Sequence, residues 1–362
     1  MKTIILTGGG TAGHVVPNIA LLPELEKKFD KIMYIGTNGI EKTIAQSKGL
    51  PFYEITASKL VRKNIFKNFT LPINFIKSVN KSKKLLKEIK PDIVFSKGGF
   101  VALPVVIAAK KLNIPVISHE SDLSFGLANK IILKYADKVV TSFEKTALKN
   151  KKCVYLGSPI RQEIFNGSQA KALKETEFIK NKKTVMFFGG SLGAKAINNI
   201  VFKCLPQLVK TYNVIHITGK GNKINFKHKN YYQTEYTDKI ENFFALADIV
   251  VCRGGANSLF ELLAINKPMI IIPLSLKASR GDQIENAKYF KEKGWAKVIM
   301  GENLTPSALL STLDKTDVKV LQTNMQNSSL KNSNSEIVKL LEETLKQNTS
   351  KPKNKFCKRK AK

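Results

Sequence analysis

The sequence predicts an α/β fold of two doubly wound, parallel-sheet domains with a cleft between them. Three observations predict it. A pattern occurs twice: Asp92-Ile93-Val94-Phe95-Ser96-Lys97-Gly98-Gly99 and Asp248-Ile249-Val250-Val251-Cys252-Arg253-Gly254-Gly255 each run from apolar residues into a polar residue, a base and two glycines. Each is followed by a helix-like stretch (102–112; 256–265) and a proline-led apolar run (115–117; 268–272), the succession of strand, turn, helix and strand found in parallel sheets. Each half also carries another strand-to-helix glycine turn, 8–13 and 189–193. Finally, 362 residues exceed one ordinary core and suit two domains. Open sheets of this kind take ligands beyond the carboxyl ends of their strands, so the expectation is a cleft enzyme.

In the first half, 2–7 reads as a strand, 8–13 as a turn, 16–28 as a helix and 32–36 as a strand. After a basic stretch come strand 93–96, the helix from Ala102, strand 116–119, helix 127–135 and strand 138–141. Gly157-Ser158-Pro159-Ile160-Arg161 reads as the hinge, because glycine and proline interrupt the pattern just before a second series begins. That series is strand 184–188, turn 189–193, the helix from Ala194, strands 214–218 and 249–252, the Ala256 helix and strand 269–272. The predicted domains are 1–158 and 159–335, with an amphipathic helix at 336–346 and a basic, disordered tail at 347–362.

Composition excludes several classes. The longest apolar runs fall far short of the roughly 18–20 residues that span a bilayer, and the opening residues run straight into glycines with no apolar core of signal-peptide length, so a cytosolic chain is expected. Four scattered cysteines and four histidines show no metal-ligand spacing, and no Asp-x-Asp is present to hold a cation against a nucleotide diphosphate. The net charge of +32 calls for an anionic partner unless it is solvated drift. Residues 58–90 hold ten Lys or Arg and one acid, Glu88, interleaved with leucines, isoleucines and phenylalanines. That mixture suits an anionic membrane surface or a solvated helix. RNA-binding signatures are absent, which argues against nucleic acid.

The turn Gly8-Gly9-Gly10-Thr11-Ala12-Gly13-His14 satisfies G-x-G-x-x-G, but the second strand ends Gly36-Thr37-Asn38 without the acid that a dinucleotide ribose needs. A dehydrogenase is disfavoured. His14 at the lip of the turn suits either a proton acceptor or a packed, capping histidine. In the second half, Gly189-Gly190-Ser191-Leu192-Gly193 can cradle phosphate, and Arg253 through Glu261 is more specific. Small residues at a helix start favour a diphosphate, and Glu261, set among apolar neighbours, can accept both hydroxyls of a ribose.

Gly8 to His14, Ser96-Lys97-Gly98-Gly99-Phe100, His119-Glu120-Ser121-Asp122, Gly189 to Ala194 and Arg253-Gly254-Gly255-Ala256 together resemble, in order, the motifs of the MurG family, undecaprenyl-diphospho-muramoylpentapeptide N-acetylglucosaminyltransferases. The resemblance covers about residues 1–345. It implies a GT-B architecture whose last helix crosses back to the first domain. It also implies an inverting transfer of N-acetylglucosamine from UDP-N-acetylglucosamine to lipid I, giving lipid II at the cytoplasmic face of the membrane, without a metal cofactor. Carried over by position, His14 and Glu120 would be catalytic. Thr11, Ala12, Gly13, Asp122, Arg161, Ser191, Thr237, Ala256, Asn257, Ser258, Leu259, Phe260, Glu261 and Gln283 would contact the donor. Gly9, Gly10, Lys97, Gly98 and Gly99 would meet the acceptor diphosphate. Two departures stand out: Ala12 replaces a glycine of the family's first loop, and Ser121-Asp122 stands where many members read Gln-Asn. A UDP-N-acetylglucosamine 2-epimerase, a diacylglycerol glycosyltransferase and a basic nucleic-acid-binding protein are the alternatives.

Overall fold

The structure is a computed structural model describing residues 1–57, 71–179, 181–190, 193–276, 279–328 and 332–349. The first sheet comprises β1 (Thr3–Thr7), β2 (Lys31–Gly36), β3 (Phe52–Glu54), β4 (Ile93–Ser96), β5 (Val116–Glu120), β6 (Lys138–Thr141) and β7 (Cys153–Tyr155). The second comprises β8 (Thr184–Phe188), β9 (Asn213–Ile217), β10 (Tyr231–Thr234), β11 (Ile249–Cys252), β12 (Met269–Ile271) and β13 (Ala296–Val298). Both are parallel, ordered β3-β2-β1-β4-β5-β6-β7 and β10-β9-β8-β11-β12-β13. Strand order reverses between β1 and β4 and between β8 and β11, and the repeated glycine motifs leave the sheets at those two points.

Central strands are buried on both faces, which explains their continuous apolar sequence. Ile4 and Leu6 of β1 join one core layer, Ile5 the opposite one, and Val185 and Met186 of β8 divide in the same way. The four strands that the sequence pattern missed, β3, β7, β10 and β13, are the four sheet edges. They are three or four residues long and mostly half-exposed, so they lack an apolar run.

The helix expected at 16–28 is broken into two short helices, Val16–Ala20 and Leu22–Leu25, and a 3-10 turn, Ala12–His14, precedes them. Pro17 and Pro23 each sit at a helix start, where a missing N–H is tolerated, and neither permits a continuous ladder. Of the basic stretch, 58–70 lies outside the described residues, while Leu71–Ile89 is a helix. Its Val79 and Leu86 are buried, whereas Ile73 and Ile76 are exposed. Among the described residues no helix is long and apolar enough to cross a membrane.

The Asn334–Thr349 helix lies on the first domain, with Ile337, Val338 and Leu341 packed among Ile4, Leu6 and Leu21. It continues past the predicted start of the tail, and 350–362 lie outside the described residues. Asn334 ties three segments together: its Nδ2 donates to the carbonyls of Ala20 and Ile160 (2.8 Å each), and its Oδ1 accepts from Ile160 N–H. Phe143, just beyond β6, enters the second domain's core with its ring edge-on to Phe260 and Tyr289, at 5.1 and 5.0 Å.

Candidate active site

The second domain supplies a wall of glycine turns, a guanidinium and a helix start. Phe188 pairs with Cys252, so Gly189 and Arg253 emerge side by side. A Cβ on Gly190 would lie 2.9 Å from Arg253 Nη2, which sets the guanidinium against the glycine turn. The adjoining helix, Ala256–Ala264, has no side-chain cap, and its first backbone bond runs from Leu259 N–H to Gly255 O. The N–H groups of Ala256, Asn257 and Ser258 therefore have no partner within the helix and carry the positive end of its dipole. A Cβ at Gly255 would meet open space, leaving that helix end accessible.

Glu261 is a turn and a half into the helix and nearly buried. Arg161 grips both of its oxygens, Nε to Oε1 at 2.6 Å and Nη2 to Oε2 at 2.9 Å. Both are thus close to the helix start, and a ribose held by Glu261 must share or displace Arg161. Gln283 stands in the first turn of the Asp282–Glu292 helix, with its backbone against Gly254 and its Oε1 accepting from Leu274 N–H (3.2 Å). Thr237 follows β10 and receives Lys239 N–H. Ser191 lies outside the described residues. Leu259 and Phe260 have buried side chains that belong to the core, so only their backbone is near the site, a correction to the expectation of donor contact.

The first domain brings His14 to the opposite wall. Thr7 pairs with Ser96, which places the 8–14 loop beside Lys97-Gly98-Gly99. His14 Nδ1 lies 3.2 Å from Lys97 O. A carbonyl only accepts, so Nδ1 carries the proton and Nε2 keeps its lone pair. Burial, then the Lys97 charge, pushes the His14 pKa down to about 4. Gly99, at φ +81°, permits this packing: a Cβ there would lie 2.9 Å from Gly9 O and 3.2 Å from the imidazole Cδ2. Thr11 and Gly13 are exposed at the loop tip. Ala12 opens the 3-10 turn and is not among the residues with positive φ, so the missing glycine is not needed there.

On this side several residues singled out in the sequence make their contacts within the protein. Glu41, which the sequence reading missed, is fully buried and accepts from Gly10 N–H (3.1 Å), Thr37 N–H and the Thr37 hydroxyl. Gly9 packs on that carboxylate and Gly10 on the Phe100 ring, so one side of the turn rests on protein while Gly10 itself stays exposed. Lys97 is 1 % exposed and points inward, its Nζ 2.6 Å from His119 Nδ1 and bonded to the Ser121 hydroxyl. Burial pushes its pKa down to about 7 against the pull of Glu120 and Asp122. It does not reach for a phosphate, and Gly98 packs on the Asn129 amide.

Glu120 is no free base: Oε1 accepts from Asp122 N–H, and Oε2 from Gly126 N–H and Asn129 Nδ2. It shapes the 121–126 loop. Asp122 faces protein, not donor, with Oδ2 on Arg280 (2.9 Å) and Oδ1 on Asn286 Nδ2 (3.0 Å). These contacts cross between the domains. So do Asn257 Nδ2 to Gly13 O (2.8 Å) and Ser121 Oγ to Asn257 Oδ1 (3.2 Å). Arg280 and Asn286 were not singled out in the sequence. Their only signal was proximity to Gly281-Asp282-Gln283.

The arrangement thus opposes a neutral imidazole to a helix terminus, an arginine and a buried carboxylate across one cleft. The chain matches the glycosyltransferase family 28 N-terminal domain over residues 4–141 and the family 28 C-terminal domain over residues 184–345. A protein of Clostridium tetani (strain Massachusetts / E88), a UDP-N-acetylglucosamine--N-acetylmuramyl-(pentapeptide) pyrophosphoryl-undecaprenol N-acetylglucosamine transferase, is 46 % identical over 94 % of this chain and 98 % of its own. A protein of the same name from Lachnospira eligens is 44 % identical over 96 % of this chain and 100 % of its own. The crystal structure of Acinetobacter baumannii MurG superposes with a TM-score of 0.74 over 95 % of this chain and all of that one, at 24 % identity, a likeness of fold. The chain belongs to glycosyltransferase family 28 and, within it, to the MurG family of N-acetylglucosaminyltransferases.

Proposed function

We propose that this chain transfers N-acetylglucosamine from UDP-N-acetylglucosamine to the C4 hydroxyl of the muramoyl-pentapeptide of undecaprenyl-diphosphate lipid I, forming lipid II with inversion at the anomeric carbon. Family membership supports the substrates. The observation that carries the mechanism is His14, with Nε2 unprotonated, across the cleft from the uncapped Ala256 helix start. The acceptor hydroxyl gives its proton to Nε2, its oxygen attacks the anomeric carbon, and the bond to UDP breaks with its electron pair going to the β-phosphate. The N–H groups of residues 256–258 and the Arg253 guanidinium receive that charge as it develops, the role that oriented donors fill best. Glu261 holds the ribose hydroxyls, which frees Arg161 to turn toward the diphosphate. No protein-held metal is invoked, so chelator should leave turnover unchanged.

The enzyme works attached to the cytoplasmic face of the membrane. The Leu71–Ile89 helix supports this reading, with Ile73 and Ile76 exposed on a segment rich in lysine. Binding to phosphatidylglycerol vesicles, weakened by salt and by Ile73→Ser with Ile76→Ser, tests it. Nucleic acid is not a partner in this reading.

The deciding experiment incubates purified protein with UDP-N-acetylglucosamine and a lipid I analogue and looks for the disaccharide. UDP release without acceptor would favour a 2-epimerase, and transfer to diacylglycerol in competition would favour a lipid glycosyltransferase.

A further inference from the structure

The two copies of the strand-and-glycine repeat end in a base at the same place, Lys97 and Arg253, and the fold uses them differently. Arg253 stays half-buried in the donor cleft, whereas Lys97 is turned inward. Its ammonium can only donate, so both its contacts, to His119 Nδ1 and to the Ser121 hydroxyl, are donated. His119 fits this polarity, because Nε2 gives its proton to Gly157 O (3.0 Å) and leaves Nδ1 to accept.

Ser121 must then pass its own proton onward, to Asn257 Oδ1 across the cleft. That fixes the Asn257 amide with its nitrogen toward Gly13 O, 2.8 Å away. The next residue, His14, donates from Nδ1 to the carbonyl of Lys97. The bonds form a closed circuit from the Lys97 side chain through Ser121, Asn257 and the 13–14 loop back to the Lys97 backbone. Only Asn257 comes from the second domain, and it stands in the first turn of the helix that faces the donor.

We propose that this circuit is a closure register: Lys97 and Ser121 are positioning residues that hold Asn257 on the Gly13 carbonyl, and so set His14 in front of the donor helix when the domains are together. The inference rests on the transferase reading above. Ser121 and Asp122 are the two positions at which the chain departs from the family's His-Glu-Gln-Asn, and both reach across the cleft. The Asp122–Arg280 pair is a second tie beside the first, but it makes no bond to the 13–14 loop.

The test measures kcat, UDP affinity and thermal midpoint for Ser121→Ala, Ser121→Thr, Asn257→Ala and the double alanine variant. Loss of one such bond should lower kcat about tenfold in Ser121→Ala, with UDP affinity unchanged because the donor wall is untouched, and with a modestly lower midpoint because the buried Lys97 ammonium loses a partner. Ser121→Thr keeps the hydroxyl and should stay within about threefold of the parent. The double variant should be no worse than Asn257→Ala alone, within about twofold, because both act through one circuit. Multiplicative losses, wild-type kcat in Ser121→Ala, equal losses in the Ala and Thr variants, or weakened UDP binding in Ser121→Ala would each overturn the proposal. Failure of the transferase reading would look different: the unmodified chain would form no disaccharide.

Discussion

Replacing His14 with alanine removes a cleft side chain whose tautomer the structure fixes, with Nε2 left unprotonated. The ring is held by its 3.2 Å bond to Lys97 O and by the close approach of Gly99. A positioned general base contributes about 10²–10⁴ in rate, or about 3–5 kcal/mol of barrier. Neither the Ala256 helix start nor Arg253 is hydrogen-bonded to the His14 ring, so kcat should fall at least about 100-fold while UDP affinity stays put. The pH dependence follows from the depressed pKa. Only the neutral ring accepts a proton, and in the free enzyme it is neutral above about 4. The acid limb of kcat/KM should therefore lie far below the ordinary histidine range, with a plateau through neutrality. A UDP-release assay with a lipid I analogue, run across this range, reads both. Unchanged turnover in His14→Ala would refute the assignment, and an acid limb of kcat/KM near 6.5 that vanishes with the ring would refute the effect of burial.

Glu261→Gln keeps the shape but loses the charge that Arg161 grips at 2.6 and 2.9 Å; UDP affinity should fall about 10–100-fold, and calorimetry showing no change would sink the ribose role. Gly99→Ala must adopt φ +81° against Gly9 O and the imidazole, at a cost of about 1–2 kcal/mol before any repacking, visible as a lower thermal midpoint together with reduced kcat. His216, buried between Asn198 and Tyr231, has its pKa pushed down to about 3 by burial. Between that value and its unfolded value of about 6.5 the unfolded chain binds a proton that the folded chain does not. Stability from this group is thus complete above the upper limit and is lost at about 1.4 kcal/mol per pH unit below it. Urea midpoints measured across that window should decline less steeply in His216→Phe, and an identical slope would refute the assignment.

Much of the site was legible because a chemical requirement imposes a local signature. A strand that must be buried on both faces reads as an apolar run, and a turn that must bring its backbone close to a neighbour reads as glycine, so β1, β4, β8, β11 and their turns were all evident. Glu261 showed itself as a carboxylate among apolar neighbours. The side chains that the reading misassigned have roles set by partners far away in sequence. Glu120 and Lys97 have the residue types of a base and a phosphate ligand, yet the one is saturated by the 121–129 segment and the other faces His119 and Ser121. Glu41 gave no signal, since nothing local tells that its carboxylate will cap Gly10.

The sequence by itself determined the two parallel sheets, the points where strand order reverses, the family and the glycine-led start of the Ala256 helix, because these rest on periodicity and on turn chemistry encoded within a few residues. Only the tertiary structure decided which polar groups face the cleft and which are consumed in holding it together. The physical reason is that a buried charge must find its partner in space. Asp122 with Arg280, Lys97 with His119 and Asn257 with Gly13 are brought together by the fold across separations that no local pattern records.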